Sequence, residues 1–447
     1  MNPDLAVSLA KIAGSVLLLA LVLFGVTQAG RRLRLQPEIA RKLIHVGLGA
    51  YCLTFPAVFE HTWEVAAVCG LAVIVFLFVR RGRLRTAMGE GLHGVERSSY
   101  GEILFAISVL LLFHLKDGHE ILRQLGLQTT PQPILYILPI LVLTLCDAAC
   151  AVVGANYGRA KFHVEAGIKS WEGVVVFVVT AWLLSLIALL LFSDVPRGEA
   201  VVLAFIAASF GALLEAASWR GLDNLFIPLG LYFLLANLMP QGLGVLLAAS
   251  AAFLAVLLLL LVLTRKHPET RHVAAAGATL FFCIAMFSGP VSLLAPLAAV
   301  IAWLLVARER ATIDSADALS LILAILGLAL VFFAVSDLAR TDTIFAFNVT
   351  FAALAAAVLA RFGDRTAAPL LLVAACLAAW GIACVRILAV EGARPDTLAF
   401  AALALLLILL VAAGTRLLVR PSPAKPWAKI SALSLAAGAV ALPWSPA

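Results

Sequence analysis

Long apolar runs recur along the whole chain and are separated by short polar segments. Runs of about 17 to 24 residues are long enough to cross a hydrocarbon core of ~30 Å as helices. Because lipid cannot satisfy open backbone N–H and C=O groups, segments that span a membrane in this way are helical. The pattern predicts an all-α integral membrane protein, built as a polytopic helical bundle.

We predict about sixteen transmembrane helices, and the composition supports this membrane class. The chain is 63% hydrophobic and 13% charged, whereas roughly 25% of the residues of a soluble domain are charged. The seven cysteines show no metal-type spacing and are interpreted as packing residues. The predicted spans are residues 7–29, 43–60, 63–79, 100–115, 133–153, 173–192, 200–218, 225–239, 242–264, 272–288, 290–307, 318–336, 343–360, 367–389, 396–414 and 428–443.

The distribution of basic residues orients the chain with its N-terminus outside. In that orientation 25 of the 32 lysines and arginines lie on the cytoplasmic side, as the positive-inside rule requires. The net charge of +7 is therefore a topology signal and gives no reason to expect a nucleic-acid partner. We expect an integral protein of the inner or plasma membrane, with loops 80–97, 154–172 and 219–224 facing the cytoplasm.

The polar segment TRKHPETRH at 264–272 separates two parts of different character. Before it, charged residues enter the apolar runs, whereas the runs beyond it consist mainly of Ala, Leu and Val. We therefore predict a catalytic transmembrane domain at 1–265 and a helical transmembrane extension at 266–447. That extension is interpreted as a scaffold or an accessory domain, and the sequence does not distinguish the two.

Asp147 lies about two turns inside the end of the predicted span 133–153. A charge at such a depth costs ~2.5–3.5 kcal/mol on insertion scales, so an intramembrane carboxylate indicates a functional site. On a helix its stripe continues through Ala151, Gly154 and Gly158, which would let a phosphate, a metal ion or another backbone approach. The structural alternative is a close helix–helix contact in which the aspartate pairs with a neighbour.

Glu215 repeats this placement about one turn inside the cytoplasmic end of its own span. Two intramembrane carboxylates that approach one membrane face predict a shared cation. Mg²⁺ suits such a site, because it binds through one or two carboxylates together with substrate phosphates. The predicted metal ligands are Asp147, Glu215 and Asp223, and the structural alternative is an ion pair of Glu215 with Arg220 or Lys169.

The segment that follows Asp147 combines positive charge with glycines, a combination that suits an anion. Lys161 and Lys169 would hold phosphates as point charges. Gly154 and Gly158 would let backbone N–H groups face the same anion. The segment contains no Walker A sequence.

Several other polar residues at the ends of spans have both a structural and a functional interpretation. Ser170 is a candidate N-cap of the next helix, with Glu172 favourable in its first turn. Capping explains the serine fully and the glutamate only in part, and it explains neither Lys161 nor Lys169. Asp223 and Asn224 form a polar turn that could serve as a simple turn or face the site.

Two further polar segments enter predicted spans near the N-terminus. His45 follows Arg41 by one helical turn, so both could face the same site, although a histidine at a helix start is often interfacial. Arg97, Tyr100 and Glu102 could equally be interface anchors.

Taken in order, five segments resemble the polyprenol kinase family, which includes dolichol kinase, phytol and farnesol kinase and CTP-dependent diacylglycerol kinase. The segments are RKLIH (41–45), ERSSYGEILF (96–105), DAACAVVGANYGRAKF (147–162), KSWEG (169–173) and EAASWRGLDNLFIP (215–228). The resemblance covers about residues 38–235 and does not extend beyond about residue 265.

The resemblance implies transfer of the terminal phosphate of a nucleotide, commonly CTP, to a lipid alcohol at the cytoplasmic face. That alcohol is a polyprenol, a phytol- or farnesol-type isoprenoid alcohol, or a diacylglycerol. Phosphoryl transfer depends mainly on positioning and charge neutralisation, which suits the predicted Mg²⁺ site. The candidate catalytic residues are Asp147, Glu215, Lys169 and Glu172, and the candidate nucleotide-binding residues are Gly154, Gly158, Lys161, Ser170, Asp223, Asn224, Arg41 and His45.

Two alternatives stay open. Phosphatidate cytidylyltransferase shares the aspartate–glycine stretch and the Lys-x-x-Glu-Gly pattern, but its His-Gly-Gly signature is absent and GLDNLFIPLG occupies that region. A cation-coupled transporter or lipid flippase also fits many spans with intramembrane carboxylates. Transporters tend to consist of two related halves with broken helices, whereas the polar groups of this chain lie in one half, which favours the kinase.

Overall fold

The computed structural model describes residues 3–35, 37–81, 101–116, 132–164, 167–218, 221–263, 277, 294–309, 315–339, 343–363, 371, 373–378, 380–382, 397–418 and 426–444. The chain divides into two compact units, Met1–Leu259 and Leu260–Ala447. The residues that the sequence singles out for chemistry all belong to the first unit.

The first unit is a bundle of helices with a single β-hairpin among its described residues. Its strands, β1 (Lys161–Val164) and β2 (Gly167–Ser170), are antiparallel. Its helices are α1 (Pro3–Arg32), α2 (Pro37–Cys52), α3 (Phe55–Val58), α4 (Thr62–Arg81), α5 (Gly101–Leu115), α6 (Ile134–Leu141), α7 (Asp147–Tyr157), α8 (Trp171–Phe192), α9 (Arg197–Ala217), α10 (Asp223–Leu238) and α11 (Leu243–Leu263), the last of which extends past Leu259.

Six helical segments within the described residues are long and apolar enough to cross a membrane. They are Asp4–Gly30, Ile134–Tyr157, Trp171–Phe192, Arg197–Ala216, Ile344–Phe362 and Thr397–Leu418. The helical, membrane-type architecture is therefore as predicted, while the count of sixteen spans and the outside N-terminus stay predictions. The helical segment that carries Asp147 continues to Tyr157, four residues beyond the predicted end of its span.

A π-helical turn at Val142–Cys146 joins α6 to α7. Pro139, in the preceding turn, cannot donate a backbone hydrogen bond, and single π-turns inside helices are frequent at functional sites. Thr144 of the π-turn packs against Gly49 of α2 so closely that a Cβ at the glycine would overlap the threonine side chain. This contact brings α2 against the start of α7, where Asp147 lies.

The hairpin is a short β element within the predicted helical bundle. Lys161 lies opposite Ser170 and Phe162 lies opposite Lys169, and the ring of Phe162 is 5.2 Å from that of Trp171. Each strand is only four residues long, so the alternation of polar and apolar residues is a weak signal there. The segment predicted as an irregular loop is therefore an ordered support for Lys169.

One face of helix α8 packs against the protein, and its opposite face is apolar and exposed. Phe177, Ala181 and Leu189 are buried against the neighbouring helices, whereas Val179 and Ile187 on the outer face are about half exposed. An apolar outer face of this kind is suited to lipid. Helix α8 packs extensively on α9 and also contacts α7.

The second unit is also helical in its described residues, and the helix Ile344–Phe362 lies at its centre. Every residue from Phe345 to Ala360 is buried, as expected for a helix that is apolar all round and has neighbours on every side. Two other helices of this unit are joined by a hydrogen bond of 2.7 Å, which Trp427 Nε1 donates to Asp317 Oδ1. Its helices are α12 (Leu294–Glu309), α13 (Ser315–Ala339), α14 (Ile344–Phe362), α15 (Thr397–Leu418) and α16 (Pro426–Ala441).

Candidate active site

Asp147, the first residue of α7, is buried and forms an ion pair with Lys42 of α2. Lys42 Nζ lies 2.6 Å from Asp147 Oδ2, and the two side chains are 8% and 5% exposed. His45, three residues further along α2, places Nε2 3.7 Å from the same oxygen and 3.3 Å from the carbonyl oxygen of Leu143. The ring of Phe105 packs edge-on against His45. Helix α2 therefore supplies a cation and an imidazole to this carboxylate.

Glu215, near the end of α9, pairs with Lys169 of β2. Lys169 Nζ lies 2.9 Å from Glu215 Oε1 and also donates to the backbone carbonyl of Glu215. Burial lowers the pKa of Lys169, but the carboxylates of Glu215 and Asp223 outweigh it and raise the pKa above its ordinary value. The neighbouring carboxylates thus favour the charged form of the amine. The structure contains the Lys169 pairing that the sequence left open as an alternative.

The two ion pairs converge at one place. Ligand atoms of Asp147, Cys150 and Glu215 all lie within 4.8 Å of one another. Two carboxylates so close together repel each other unless positive charge lies nearby, and Lys42 and Lys169 provide it. The structure thus brings together the two carboxylates that the sequence predicted to share a site.

This cluster fits a divalent cation. Glu215 Oε2 is buried and has no hydrogen-bond partner among the described residues, so one carboxylate oxygen is available as a ligand. Carboxylate oxygens are the protein ligands that Mg²⁺ usually takes. Asp223, the third predicted ligand, is the first residue of α10 and is not one of the three clustered residues.

Gly154 of α7 and Gly158, which follows the helix, leave room for the side chain of Ser170 at the start of α8. A Cβ at Gly158 would lie 2.7 Å from Ser170 Oγ, and one at Gly154 would lie 3.1 Å from the same atom. Ser170 Oγ accepts a hydrogen bond of 3.1 Å from the N–H of Gly173, which confirms the predicted N-cap of α8. The glycines have a packing role in this structure, and anion binding by Gly154 and Gly158 stays a prediction.

Glu172 fixes the turn between α7 and the hairpin. Its Oε1 accepts hydrogen bonds of 3.0 Å from the backbone N–H groups of Arg159 and Ala160. These hydrogen bonds show that Glu172 stabilises the turn. The catalytic role of Glu172 stays a prediction. Lys161, on β1, is exposed, so its side chain can reach a ligand from the solvent side.

The remaining candidates are not among the three clustered residues, and some lie outside the described part of the chain. Asn224 Nδ2 donates a hydrogen bond of 3.2 Å to the carbonyl of Gly221, which supports the turn before α10. Arg41 is half-buried beside Lys42, and Glu102 lies in the first turn of α5. Three other residues named from the sequence lie outside the described part of the chain, namely Arg97, Tyr100 and Arg220.

Lys42 and Cys150 are two residues of the cluster that the sequence did not predict for the site. His45 shares a helix face with the residues three and four positions before it, so spacing alone could not choose between Lys42 and Arg41. Cys150 was interpreted as a packing residue because no second cysteine lies at a metal-type spacing. Its position three residues after Asp147, on the same helix face, was the available signal.

Comparison with known proteins places this chain in a family. The chain is similar to a phytol kinase of Synechocystis sp., with 31% identity over 210 residues that cover 44% of this chain and 79% of that protein. No family profile matches the chain. No solved structure matches it either. Because most of the length of the phytol kinase is covered at this identity, the chain belongs to the polyprenol and phytol kinase family.

Proposed function

We propose that this protein is a Mg²⁺-dependent kinase that transfers the γ-phosphate of CTP to a membrane lipid alcohol at the cytoplasmic face. The observation that supports the proposal is the convergence of two Lys–carboxylate pairs, the buried Lys42–Asp147 and the partly buried Lys169–Glu215, within a bundle of apolar helices. The relative is named as a phytol kinase, which favours an isoprenoid alcohol of the phytol type as the acceptor.

The residues of the cluster suit the requirements of phosphoryl transfer. The alcohol oxygen attacks the γ-phosphorus, the bond from that phosphorus to the β–γ bridging oxygen breaks, and CDP leaves. The proton of the hydroxyl passes to a carboxylate of the site. Lys42 and Lys169 lie beside these carboxylates and offset negative charge, which is the main contribution a protein makes to this reaction.

The carboxylates of Asp147 and Glu215 would hold the cation, with Asp223 nearby at the start of α10. When bound, Mg²⁺ neutralises charge on the nucleotide phosphates. The exposed Lys161 would contact the nucleotide from the solvent side, since a flexible ammonium binds phosphate as a point charge.

The position of the label in CTP distinguishes a kinase from a cytidylyltransferase. Membranes that contain the protein are supplied with Mg²⁺ and a mixture of phytol, farnesol, a long polyprenol and diacylglycerol. We expect label from γ-labelled CTP to enter lipid and none from α-labelled CTP, because a kinase transfers only the terminal phosphate. Transfer of the α label in the presence of phosphatidate would identify a cytidylyltransferase instead, and failure of both labels would favour a transporter.

The proposed cytoplasmic face can be tested by labelling. In a cysteine-free background, a single cysteine at position 163 of β1 is expected to react with an impermeant maleimide only after the membrane is opened. The basic residues of the 154–172 segment predict this side. Labelling of intact cells from outside would contradict the proposal, because cytoplasmic CTP could not reach the cluster.

Truncation tests whether the site belongs to the first unit alone. A chain that ends at Leu263 contains every residue of the cluster, so we expect it to retain phosphoryl transfer in detergent. Size-exclusion chromatography and a thermal unfolding curve show whether the shortened protein is folded. A folded but inactive protein would mean that residues beyond Leu263 complete the site.

A further inference from the structure

Cys150 adds a sulfur ligand to the two carboxylates. Its side chain is buried, its thiol donates a hydrogen bond of 3.2 Å to the carbonyl of Asp147, and its Sγ lies within the 4.8 Å cluster. Carboxylate oxygens alone suit hard cations such as Mg²⁺, whereas a thiolate selects softer ions. The third ligand therefore changes which cation the cluster binds best.

We propose that Asp147, Cys150 and Glu215 form a site for a thiophilic divalent cation of the Zn²⁺ and Cd²⁺ class, which displaces Mg²⁺ and inhibits the enzyme. Zn²⁺ takes cysteine sulfur together with aspartate or glutamate oxygen. Glu215 Oε2 is buried and has no hydrogen-bond partner among the described residues, so this oxygen is available to the ion.

The charges of the cluster are compatible with this ion. On binding, the thiol of Cys150 releases its proton to solvent, as coordinating thiols do. The thiolate then adds a third negative charge beside Asp147 and Glu215. Together these three charges balance the positive charge of the ion, even with Lys42 and Lys169 close by. The binding itself is independent of the proposed kinase activity, whereas inhibition rests on it.

Cd²⁺ titration of the purified, full-length protein in detergent measures binding directly. The ultraviolet charge-transfer band of a Cd²⁺–thiolate bond reports coordination by sulfur, and Cys376, which is exposed, is replaced by serine in every sample. We expect the band in this background and its loss in Cys150→Ser. Cys146→Ser is the matched control, because Cys146 is a buried cysteine four residues earlier and outside the ligand cluster.

Inhibition supplies the second readout. Cd²⁺ is expected to inhibit CTP-dependent lipid phosphorylation, and excess Mg²⁺ to relieve the inhibition. The inhibitory concentration should rise by at least about 10- to 100-fold in Cys150→Ser, because loss of even an outer-shell partner of a metal ligand weakens binding by that factor. Each variant is compared with its own rate in the absence of Cd²⁺, so a change in basal activity does not affect the result.

The results of these experiments distinguish the cation site from the proposed kinase activity. A band that persists in Cys150→Ser, or that disappears equally in Cys146→Ser, overturns the site. If Cys150→Ser does not fold, Glu215→Gln serves instead, and unchanged Cd²⁺ affinity in that variant also overturns the site. A normal band in a protein that phosphorylates no lipid supports the cation site and rejects the kinase.

Discussion

Replacing Asp147 with asparagine is expected to lower the rate of lipid phosphorylation by about 10²–10³-fold, the cost of removing one preorganised electrostatic contact in an active site. Asparagine keeps the shape of the side chain but removes the charge that Lys42 Nζ contacts at 2.6 Å. It also removes one of the two carboxylates that would hold Mg²⁺. Initial rates with γ-labelled CTP, at saturating lipid alcohol, measure the effect.

The fold of Asp147→Asn must be measured beside its activity, because Lys42 loses its ionic partner in a buried position. Rates are therefore expressed per folded protein, as judged by size-exclusion chromatography and thermal unfolding in detergent. Asp194→Asn is the matched control, since Asp194 is exposed and follows the far end of α8. Near-normal turnover of folded Asp147→Asn would show that the aspartate is only a packing partner.

The sequence predicted the carboxylates of this cluster because their position in apolar runs is unusual. Asp147 and Glu215 stand inside segments where a charge is costly, and both approach the same predicted membrane face. The N-cap at Ser170 was predictable for a similar reason, since a serine before an apolar run can satisfy an open N–H of the first helical turn. In these cases the chemistry of the residue and its immediate sequence neighbours was sufficient to predict its importance.

The partners of those carboxylates could not be predicted, because they depend on which helices meet. Lys42 and Asp147 are 105 residues apart, and their contact depends on the close approach of Gly49 to Thr144 at the π-turn. Periodicity describes the faces of one helix and carries no information about the helix that covers it. The hairpin was missed for a different reason, because two four-residue strands show too little alternation to be recognised.

Replacing Lys42 with methionine is expected to destabilise the protein by about 3–5 kcal/mol, the cost of leaving a buried charge without its partner. Methionine fills a similar volume but removes the cation from Asp147 Oδ2, which then lies 3.7 Å from the imidazole Nε2 of His45. Phosphorylation should also fall sharply. Denaturant titration in detergent gives the change in the free energy of unfolding.

The double variant Lys42→Met/Asp147→Asn separates the structural role of this pair from its catalytic role. With both charges removed, no buried ion lacks a partner, so most of the lost stability should return. The four proteins form a double-mutant cycle, in which the two changes are expected to be strongly non-additive in stability. Activity should not return with stability, because a neutral pair cannot hold a cation or offset phosphate charge. A double variant that regains both stability and turnover would show that Lys42 and Asp147 only stabilise the contact between α2 and α7, and that the chemistry depends on other residues of the cluster.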